Sequence, residues 1–471
     1  MSSALNYSTI SQLTAGIRSK EISPMEVVDA ALHRISECED RLNSFSYFDR
    51  DAARQQAVSA EAAAQRGEDL GPLHGIPLTI KSNIDVAGWP CPAGSTLRKD
   101  YVAQQDAPLV ARLKAAGAIL LGNTNTPEFL MAWESSNLLT GKTSNPWDLT
   151  RSAGGSSGGE AAAIASGCCV GGVGSDGGGS IRVPAHFCGI CGLKPTPGRV
   201  PSTGHFPPGA GLLNWLGAVG PMARTIADVR TLFEVIAGPD PGDALSAPVP
   251  LKPAADLKTV AGLRVGLLES VALAKPTRET EAAVKRAAGF LQTQGMIVEP
   301  FKLSGLDRAL EIWWFFFGPL VAYLFRPTVE GRMDEISPIL REYLAYAAPE
   351  KPITMDEVIE NCAQRDIVRA EILRQLQNVP ILLSPVSAKP AFRHGEGTYR
   401  PGAEQNYRET MRHSQWLNLA GFPGATVPVG SSPEGLPIGV QIIGRPHEDE
   451  LVLTVAEQIE QARGPWQPPP L

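Results

Sequence analysis

Apolar positions along the chain follow two periods, one typical of helices and one typical of strands. In residues 23–42, apolar side chains recur at helical spacing behind a serine N-cap and a proline, which predicts an amphipathic helix. Residues Ile76 to Ile80 form a short run of β-type residues that ends at a charged residue, Lys81. The sequence therefore predicts a strand that stops at this lysine.

Strand and helix patterns alternate through the rest of the chain. They predict a helix up to Gly117 followed by a strand at 118–121, a strand–helix–strand unit at 263–300, a strand at 436–444, and a closing helix that ends at Gly464. This alternation favours an α/β protein built on a mixed β-sheet.

Three segments differ from this alternation. The sequence shows no internal repeat. Residues 1–70 are predicted to be helical. The stretch 237–257 is rich in Pro, Gly and Asp, and it predicts either an internal boundary or a long surface connection. The proline-rich residues 464–471 are expected to form a disordered tail.

The composition is that of an ordinary globular protein. Of the 471 residues, 43% are hydrophobic and 19% are charged, and the formal net charge is −7. An acidic chain without a lysine or arginine cluster does not favour binding to nucleic acid or to an anionic membrane. The apolar run Ile312 to Phe325 has 14 residues and contains a Gly-Pro pair, whereas a membrane span needs about 20. The first 16 residues lack the pattern of a signal peptide, so we expect a soluble, cytoplasmic protein.

The seven cysteines form an odd, scattered set that is typical of reduced thiols. Cys188 and Cys191 have the spacing of a zinc or redox pair, but no second pair and no paired histidines accompany them. We therefore interpret both as buried apolar cysteines and expect no metal site.

The centre of the chain, residues 154–180, contains 11 glycines in 27 positions. Because small helix-forming and apolar residues are interspersed, the segment is predicted to be packed rather than a flexible linker. It lacks the lysine of a phosphate-binding loop and the context of a dinucleotide-binding motif, so nucleotide binding is not expected. Residues 154–158 match G-x-S-x-G, which leaves open an α/β-hydrolase-type esterase with Ser156 as nucleophile and a histidine base.

The glycines directly before Ser180 favour a different arrangement. Their N–H groups can surround a developing oxyanion while the Ser180 hydroxyl attacks a carbonyl carbon. Burial of Lys81 at the end of an apolar strand would lower the pKa of its amine. The neutral amine could then accept the serine proton, directly or through a hydroxyl such as that of Ser156.

Six segments carry a resemblance to the amidase signature hydrolases, and together they cover nearly the whole chain. They are "GIPLTIKSNIDVAG", "GNTNTPEFLMAWESSN", "GKTSNPWDLTRSAGGSSGGEAAAIASG", "GSDGGGSIRVPAHFCGICGLKPTPGRVP", "NLAGFPGATVPVG" and "GLPIGVQIIGRPHEDELVL". The resemblance implies one domain over residues 1–471, with a mixed twisted sheet covered on both faces by helices. Residues 71–235 would form the catalytic core, and 239–375, where the resemblance is weakest, a variable region on the substrate side.

The resemblance also implies a Ser–cis-Ser–Lys triad. Ser180 would be the nucleophile, Ser156 the middle serine held through a cis peptide bond, and Lys81 the base. No cofactor and no metal are implied.

The same resemblance assigns the oxyanion hole to Gly177, Gly178 and Gly179, together with the amide of the nucleophile. This chain departs from the family at two positions. Many relatives have a β-branched residue in place of Gly177, and many have an acid in place of Ser82. The second departure leaves open which group orients the catalytic lysine.

Further residues are assigned by their position in the family or by their type. Leu130, Met131 and Trp133 would line the acyl side of the pocket, and His205 is a further pocket candidate. The aromatic run Trp313–Phe317 predicts buried core, with a hydrophobic substrate pocket or a flexible cover as alternatives.

Three charged or titratable residues near the nucleophile are interpreted as structural. Asp176 and Arg182 flank it in sequence, and we expect them to form a salt bridge or to hold the loop. His186 lacks a partner that would complete a triad.

The sequence thus predicts an amide hydrolase for small hydrophobic or aryl amides, with esters and carbamates as further substrates. One alternative is an amidotransferase A-type subunit that acts on aminoacyl-tRNA with a partner. The others are the esterase described above and an inactive scaffold, against which the intact triad argues. The sequence leaves the substrate open, and also whether the chain forms a homodimer.

Overall fold

An eleven-stranded mixed sheet forms the centre of the fold. The computed structural model describes residues 5–68, 70–208, 211–252, 260–269 and 272–471. Strands β4 to β7 form two small separate sheets, and the other strands form the large one. In chain order, the strands are β1 (Phe45–Phe48), β2 (Pro77–Lys81), β3 (Ile119–Thr124), β4 (Ser136–Asn137), β5 (Gly141–Lys142), β6 (Ser144–Asn145), β7 (Asp148–Ser152), β8 (Gly171–Asp176), β9 (Cys191–Lys194), β10 (Ala218–Ala223), β11 (Arg264–Glu269), β12 (Ile297–Lys302), β13 (Ile381–Pro385), β14 (Gly424–Ser431) and β15 (Pro437–Gly444).

Helices connect these strands and pack against the sheet. The main α-helices are Ile10–Ser19, Pro24–Leu42, Arg50–Arg66, Pro108–Ala115, Gly158–Ala165, Arg182–Cys188, Ile226–Ile236, Arg278–Thr293, Leu306–Phe315, Val321–Val329, Pro338–Ala347, Met355–Gln375, Tyr407–Thr410, Arg412–Ala420 and Asp449–Arg463.

The order of strands across the large sheet is β1-β3-β2-β8-β10-β9-β14-β15-β13-β11-β12. Parallel pairs join β2 to β3 and β8, and join β11 to β12 and β13, whereas the central strands pair antiparallel. The sheet is therefore mixed, as the alternating pattern predicts.

Apolar side chains cover the sheet on both faces, because successive residues of a strand point to opposite sides. In β3, Leu120 packs into the same buried cluster as helix Pro108–Ala115, whereas Ile119 and Leu121 pack into another with helix Gly158–Ala165. This arrangement confirms the predicted α/β fold with helices on both faces.

The register of β2 and β8 brings distant parts of the chain together. The two strands lie side by side in parallel, so their carboxyl ends meet at one edge of the sheet. β2 ends at Lys81 and β8 ends at Asp176, directly before the three glycines. Helix Gly158–Ala165 packs against both strands, and a side chain at Gly172 of β8 would collide with Glu160 of this helix.

The Gly-Pro pair in the apolar segment 312–325 does not interrupt the helical path. Helices Leu306–Phe315 and Val321–Val329 are joined by a π-helical turn that contains Pro319. A π turn accommodates the missing N–H and the ring of a proline. By length and composition the 24-residue stretch Leu306–Val329 could cross a membrane, but 56% of its most apolar 18 residues, which have a mean hydropathy of 1.2, is buried inside the fold.

Two side chains of residues 464–471 pack against the fold, in contrast to the disordered tail that the sequence predicts. The Trp466 indole donates to the Gly189 carbonyl oxygen at 2.7 Å, and its ring lies 5.7 Å from that of Tyr7. Leu471 packs against a buried apolar cluster. One aromatic and one apolar side chain therefore anchor a segment whose proline content predicts disorder.

The amino-terminal part of the chain contains β1 in addition to its helices. This edge strand pairs antiparallel with β3. Residues 1–4 lie outside the described residues. Residues 253–259, which include the end of the predicted boundary 237–257, also lie outside the described residues. The described residues 237–252 form no helix or strand.

Candidate active site

The side chain of Lys81 is fully buried at the end of β2. Its Nζ atom donates to Ser156 Oγ at 2.6 Å and to Ser175 Oγ at 3.1 Å. The next residue, Ser82, has a buried Oγ without a hydrogen-bond partner among the described residues. The lysine is therefore oriented by the hydroxyls of Ser156 and Ser175.

Burial lowers the pKa of Lys81 to about 7, because the ammonium form loses its hydration. The nearby carboxyl groups of Asp176 and Glu160 favour the charged form, but they do not outweigh burial. Near neutral pH, a substantial share of the amine is therefore unprotonated and able to accept a proton.

Ser156 lies next to the segment that carries Ser180. The peptide bond between Gly155 and Ser156 is cis, as the resemblance implies, and the Ser156 carbonyl oxygen accepts from Thr126 Oγ1 at 2.7 Å. The following residue, Ser157, donates its N–H to the carbonyl oxygen of Ser180 at 3.1 Å. Ser156 and Ser180 line the same cavity, so their side chains share one space.

Each of the three glycines before Ser180 is required or contacted in a different way. The carbonyl oxygen of Gly177 accepts from Trp313 Nε1 at 3.0 Å. A Cβ atom on Gly178 would lie 2.5 Å from Trp313 Cζ2, so the indole packs closely there only because the residue is glycine. Gly179 has a φ of 120°, a conformation that side chains disfavour.

The N–H of Gly179 donates to Asp176 Oδ1 at 2.7 Å. This amide is therefore committed to a carboxylate, which corrects the expectation that all three glycines line the oxyanion hole. The amides of Gly177, Gly178 and Ser180 remain as candidate donors to an oxyanion.

Asp176 and Arg182 form an ion pair in which both side chains are fully buried. Arg182 Nη2 donates to Asp176 Oδ1 at 2.9 Å and Nε donates to Oδ2 at 3.0 Å, and the guanidinium also donates to Gln441 and Asn418. Burial alone would raise the pKa of Asp176, but the guanidinium and its hydrogen bonds outweigh burial and hold the pKa well below its usual range. The structural role predicted for this pair is confirmed.

A cavity of 430 Å³ opens beside Ser156 and Ser180. Asp176 is the only residue with a formal charge among the described lining residues, and that charge is paired with Arg182. The remaining polar wall includes serine, asparagine and histidine side chains. The apolar walls include Leu130, Met131, Phe206, Phe317, Val321 and Phe325.

Three of the predicted pocket residues, Leu130, Met131 and His205, line this cavity. Trp133 is not among the lining residues, so its predicted role is corrected. Its side chain is 2% exposed and packs against Trp313 at 6.4 Å between ring centroids. It supports the glycine-rich loop from behind, because a Cβ atom on the central glycine would also contact its ring.

The aromatic run contributes mainly to the core, as predicted, and one of its residues also lines the cavity. Trp313 and Phe316 are fully buried core residues, whereas Phe317 lines the cavity. Trp313 and Phe317 stack with ring centroids 4.5 Å apart. Residues 317–328 therefore supply one wall of the cavity.

Sequence analysis did not single out Ser175 or Asn418. Asn418 donates to the backbone oxygen of Asp176 at 2.8 Å. Ser175 lies beside the end of β2 because Ile80 pairs with Val173, and this register is seen only in the structure. Asn418 comes from a helix far along the chain, and no local pattern indicates it.

His186, Cys188 and Cys191 lie in the packed interior of the fold. His186 Nδ1 accepts from the Gly439 N–H at 2.7 Å, and its Nε2 lies 3.1 Å from the Lys389 carbonyl oxygen. Cys188 and Cys191 are buried. In the part of the chain that the structure describes, no group of three His, Cys, Asp or Glu side chains is placed to hold a metal ion.

Comparisons with known proteins identify the family of this chain. The Amidase family model matches residues 26–453. The A subunit of glutamyl-tRNA(Gln) amidotransferase from Prochlorococcus marinus is 34% identical, and the alignment covers 94% of each chain.

Solved structures show the same fold. A chain of a vestigial protein complex that reveals the evolutionary origins of an s-triazine catabolic enzyme matches with a TM-score of 0.89 and 29% identity, covering 98% of this chain and 100% of that one. A bacterial aryl acylamidase of the amidase signature family matches with a TM-score of 0.86 and 26% identity, covering 97% of this chain and 96% of the other. By family model, sequence and fold, this chain belongs to the amidase signature family of enzymes that act on C–N bonds.

Proposed function

We propose that this protein hydrolyses small, largely apolar amides, and carbamates of the same shape, through a Ser180 acyl-enzyme. The observation that carries the proposal is the cavity beside Ser180. Its walls are mostly apolar, and its only formal charge among the described lining residues, Asp176, is paired with Arg182. Such a cavity favours uncharged substrates, because burying an unpaired charge is costly.

The acylation step follows from the contacts of Lys81. The neutral amine accepts a proton from Ser156, which in turn accepts the proton of Ser180 as the Ser180 Oγ–carbon bond forms. The oxyanion accepts hydrogen bonds from the amides of Gly177, Gly178 and Ser180. The relay then returns the proton to the nitrogen, the C–N bond breaks, and the amine leaves.

Deacylation uses the same groups, with water as the attacking nucleophile and Ser180 as the leaving group. Water attacks the acyl carbon, loses a proton through Ser156 to Lys81, and the Ser180 ester bond breaks. The serine regains its proton, and the carboxylic acid leaves. An ester or a phenyl carbamate passes through the same steps with an alcohol or phenol as leaving group, so that the C–O bond breaks and the carbamate yields a carbamic acid.

A second candidate is an amidotransferase A-type subunit, which the 34% identity to a protein of that type favours. An amidotransferase takes ammonia from an amide donor, and an amino-acid amide such as glutamine carries an ammonium and a carboxylate. The described cavity walls offer no free charged side chain for either group. This absence favours the hydrolase of apolar amides.

The choice between these two functions depends on substrate charge. We expect the purified protein to hydrolyse an anilide and a phenyl carbamate with a kcat/KM more than about 100-fold above that for L-glutamine, because each unpaired charge costs several kcal/mol to bury. Release of aniline or phenol and release of ammonia are measured in parallel. Faster turnover of glutamine, or turnover that requires added amidotransferase partner subunits, would support the second candidate instead.

Labelling with a fluorophosphonate identifies the nucleophile. We expect one adduct, on Ser180, because the Ser180 oxygen displaces fluoride from phosphorus. Intact mass and peptide mapping should show no adduct in Ser180→Ala, and slower labelling at the same residue in Ser156→Ala. Ser59→Ala, at an exposed position of helix Arg50–Arg66, is the matched control and should label normally. An adduct on Ser156 would contradict the proposal and favour the esterase, and no adduct would favour an inactive scaffold.

The pKa of Lys81 predicts the pH dependence of the reaction. Below about pH 7 the amine is protonated and cannot accept the serine proton, so kcat/KM should fall about tenfold for each further pH unit. Lys81→Met should lower the rate by about 10³-fold and remove this dependence. The exposed Lys142→Met serves as control. A wild-type profile that stays flat through neutral pH would argue against the relay.

The glycine loop offers a matched pair of substitutions. In Gly178→Ala the new methyl would lie 2.5 Å from the buried Trp313 ring, so the donor must shift, and kcat should fall by about 10²-fold or more. In Gly177→Ala the methyl would contact Phe317 at an ordinary 3.6 Å, and kcat should remain within about threefold of wild type. Thermal unfolding of both variants tests whether they fold. Equal effects of the two substitutions would contradict the assigned geometry.

A further inference from the structure

One wall of the cavity consists of a polar loop that is tied to the catalytic strand. His205 lines the cavity from this loop. The N–H of the next residue, Phe206, donates to the Asn83 carbonyl oxygen at 2.8 Å, and Asn83 Nδ2 donates to the Phe206 carbonyl oxygen at 2.9 Å. Because Asn83 follows Lys81 by two residues, these bonds fix His205 relative to the end of β2.

The hydrogen bond of one ring nitrogen defines the tautomer of His205. Nδ1 lies 2.8 Å from the Pro207 carbonyl oxygen, which can only accept, so Nδ1 carries the hydrogen. Burial, together with the charge of nearby Lys81, lowers the pKa of His205 to about 4, against the bond to Pro207. The imidazole is therefore neutral at pH 7, and its Nε2 is a hydrogen-bond acceptor.

Other polar groups of this wall are already engaged. Ser202 Oγ donates to Asp243 Oδ2 at 2.9 Å, and Asn214 Nδ2 donates to Asp243 Oδ1 at 3.2 Å. Among the hydrogen bonds of the described residues, none reaches His205 Nε2. The wall therefore presents an acceptor nitrogen that a bound ligand can engage.

We propose that His205 Nε2 accepts a hydrogen bond from an N–H group of the substrate, and that this contact selects amides and carbamates over esters and N-alkylated amides. The inference rests on the proposed function and narrows its substrate class. An otherwise apolar ligand without a donor would cover Nε2 and leave it unpaired, and a site that leaves a buried polar group unpaired rejects such a ligand.

The test compares three matched substrates: an anilide, its N-methyl derivative and the corresponding phenyl ester. Their kcat/KM values are measured for wild type, for His205→Phe, which keeps a ring but lacks the acceptor, and for His205→Gln, whose carbonyl oxygen can replace Nε2. We expect the ratio of the anilide kcat/KM to the ester kcat/KM to fall about tenfold or more in His205→Phe, and to be restored in part by His205→Gln. The penalty for N-methylation should shrink in parallel.

A merely structural or electrostatic role would give a different result. If His205 only held the loop or affected Lys81, anilide and ester rates would fall together, and the ratio would stay constant; that outcome overturns the inference. His33→Phe, at an exposed histidine, is the control for the substitution itself. If His205→Phe does not fold, His205→Leu also lacks the acceptor and gives the same comparison.

The experiment separates this inference from the function on which it rests. If wild type hydrolyses anilide and ester, and His205→Phe leaves their ratio unchanged, only the inference fails. If wild type hydrolyses none of the three substrates, the proposed function fails and the inference with it.

Discussion

The buried ion pair between Asp176 and Arg182 is the interaction on which the geometry of the active site depends. The carboxylate of Asp176 accepts the N–H groups of Gly179 and Ile181 in addition to the guanidinium, so that one side chain fixes both ends of the glycine-rich turn. Three consecutive glycines would otherwise be highly flexible. Because the guanidinium also donates to Gln441 and Asn418, the turn is connected to strand β15 and to helix Arg412–Ala420. The turn can therefore be rich in glycine and still be held in one conformation.

Burial in this low-polarity interior favours the neutral form of Asp176, Lys81 and Glu160, but the resulting pKa shifts differ. Asp176 has a direct cationic partner, and its pKa is held down despite burial. Among the described residues, no carboxylate is hydrogen-bonded to Lys81, whose amine donates to oxygen atoms of Ser156 and Ser175, and burial lowers its pKa to about 7. Burial raises the pKa of Glu160 to about 7, although Thr124 and Thr79 donate to it and Lys81 lies nearby. Direct pairing therefore decides that Asp176 stays charged, whereas the unpaired Lys81 titrates near neutrality.

Local sequence patterns predicted the strand that ends at Lys81 and the packed glycine segment, because these depend on neighbouring residues. They were wrong where distant contacts decide. The prolines of 464–471 predicted disorder, but Trp466 finds a carbonyl acceptor far away in sequence. Trp133 was expected in the pocket, yet its ring packs against Trp313 behind the glycine loop. The commitment of the Gly179 amide to Asp176 could not be predicted either, since it depends on how the turn folds back on the carboxylate.

The origin of the cavity walls explains why family membership defines the reaction better than the substrate. Lys81, Ser156 and Ser180 come from strand ends and a turn whose positions are set by sheet register. Much of the apolar wall comes instead from helix Val321–Val329 and the turn before it, which pack against the catalytic core from outside the sheet. A substitution in that helix changes the shape and polarity of the cavity without moving the strands. The substrate class of this chain must therefore be argued from the walls of the cavity rather than from the residues at the strand ends.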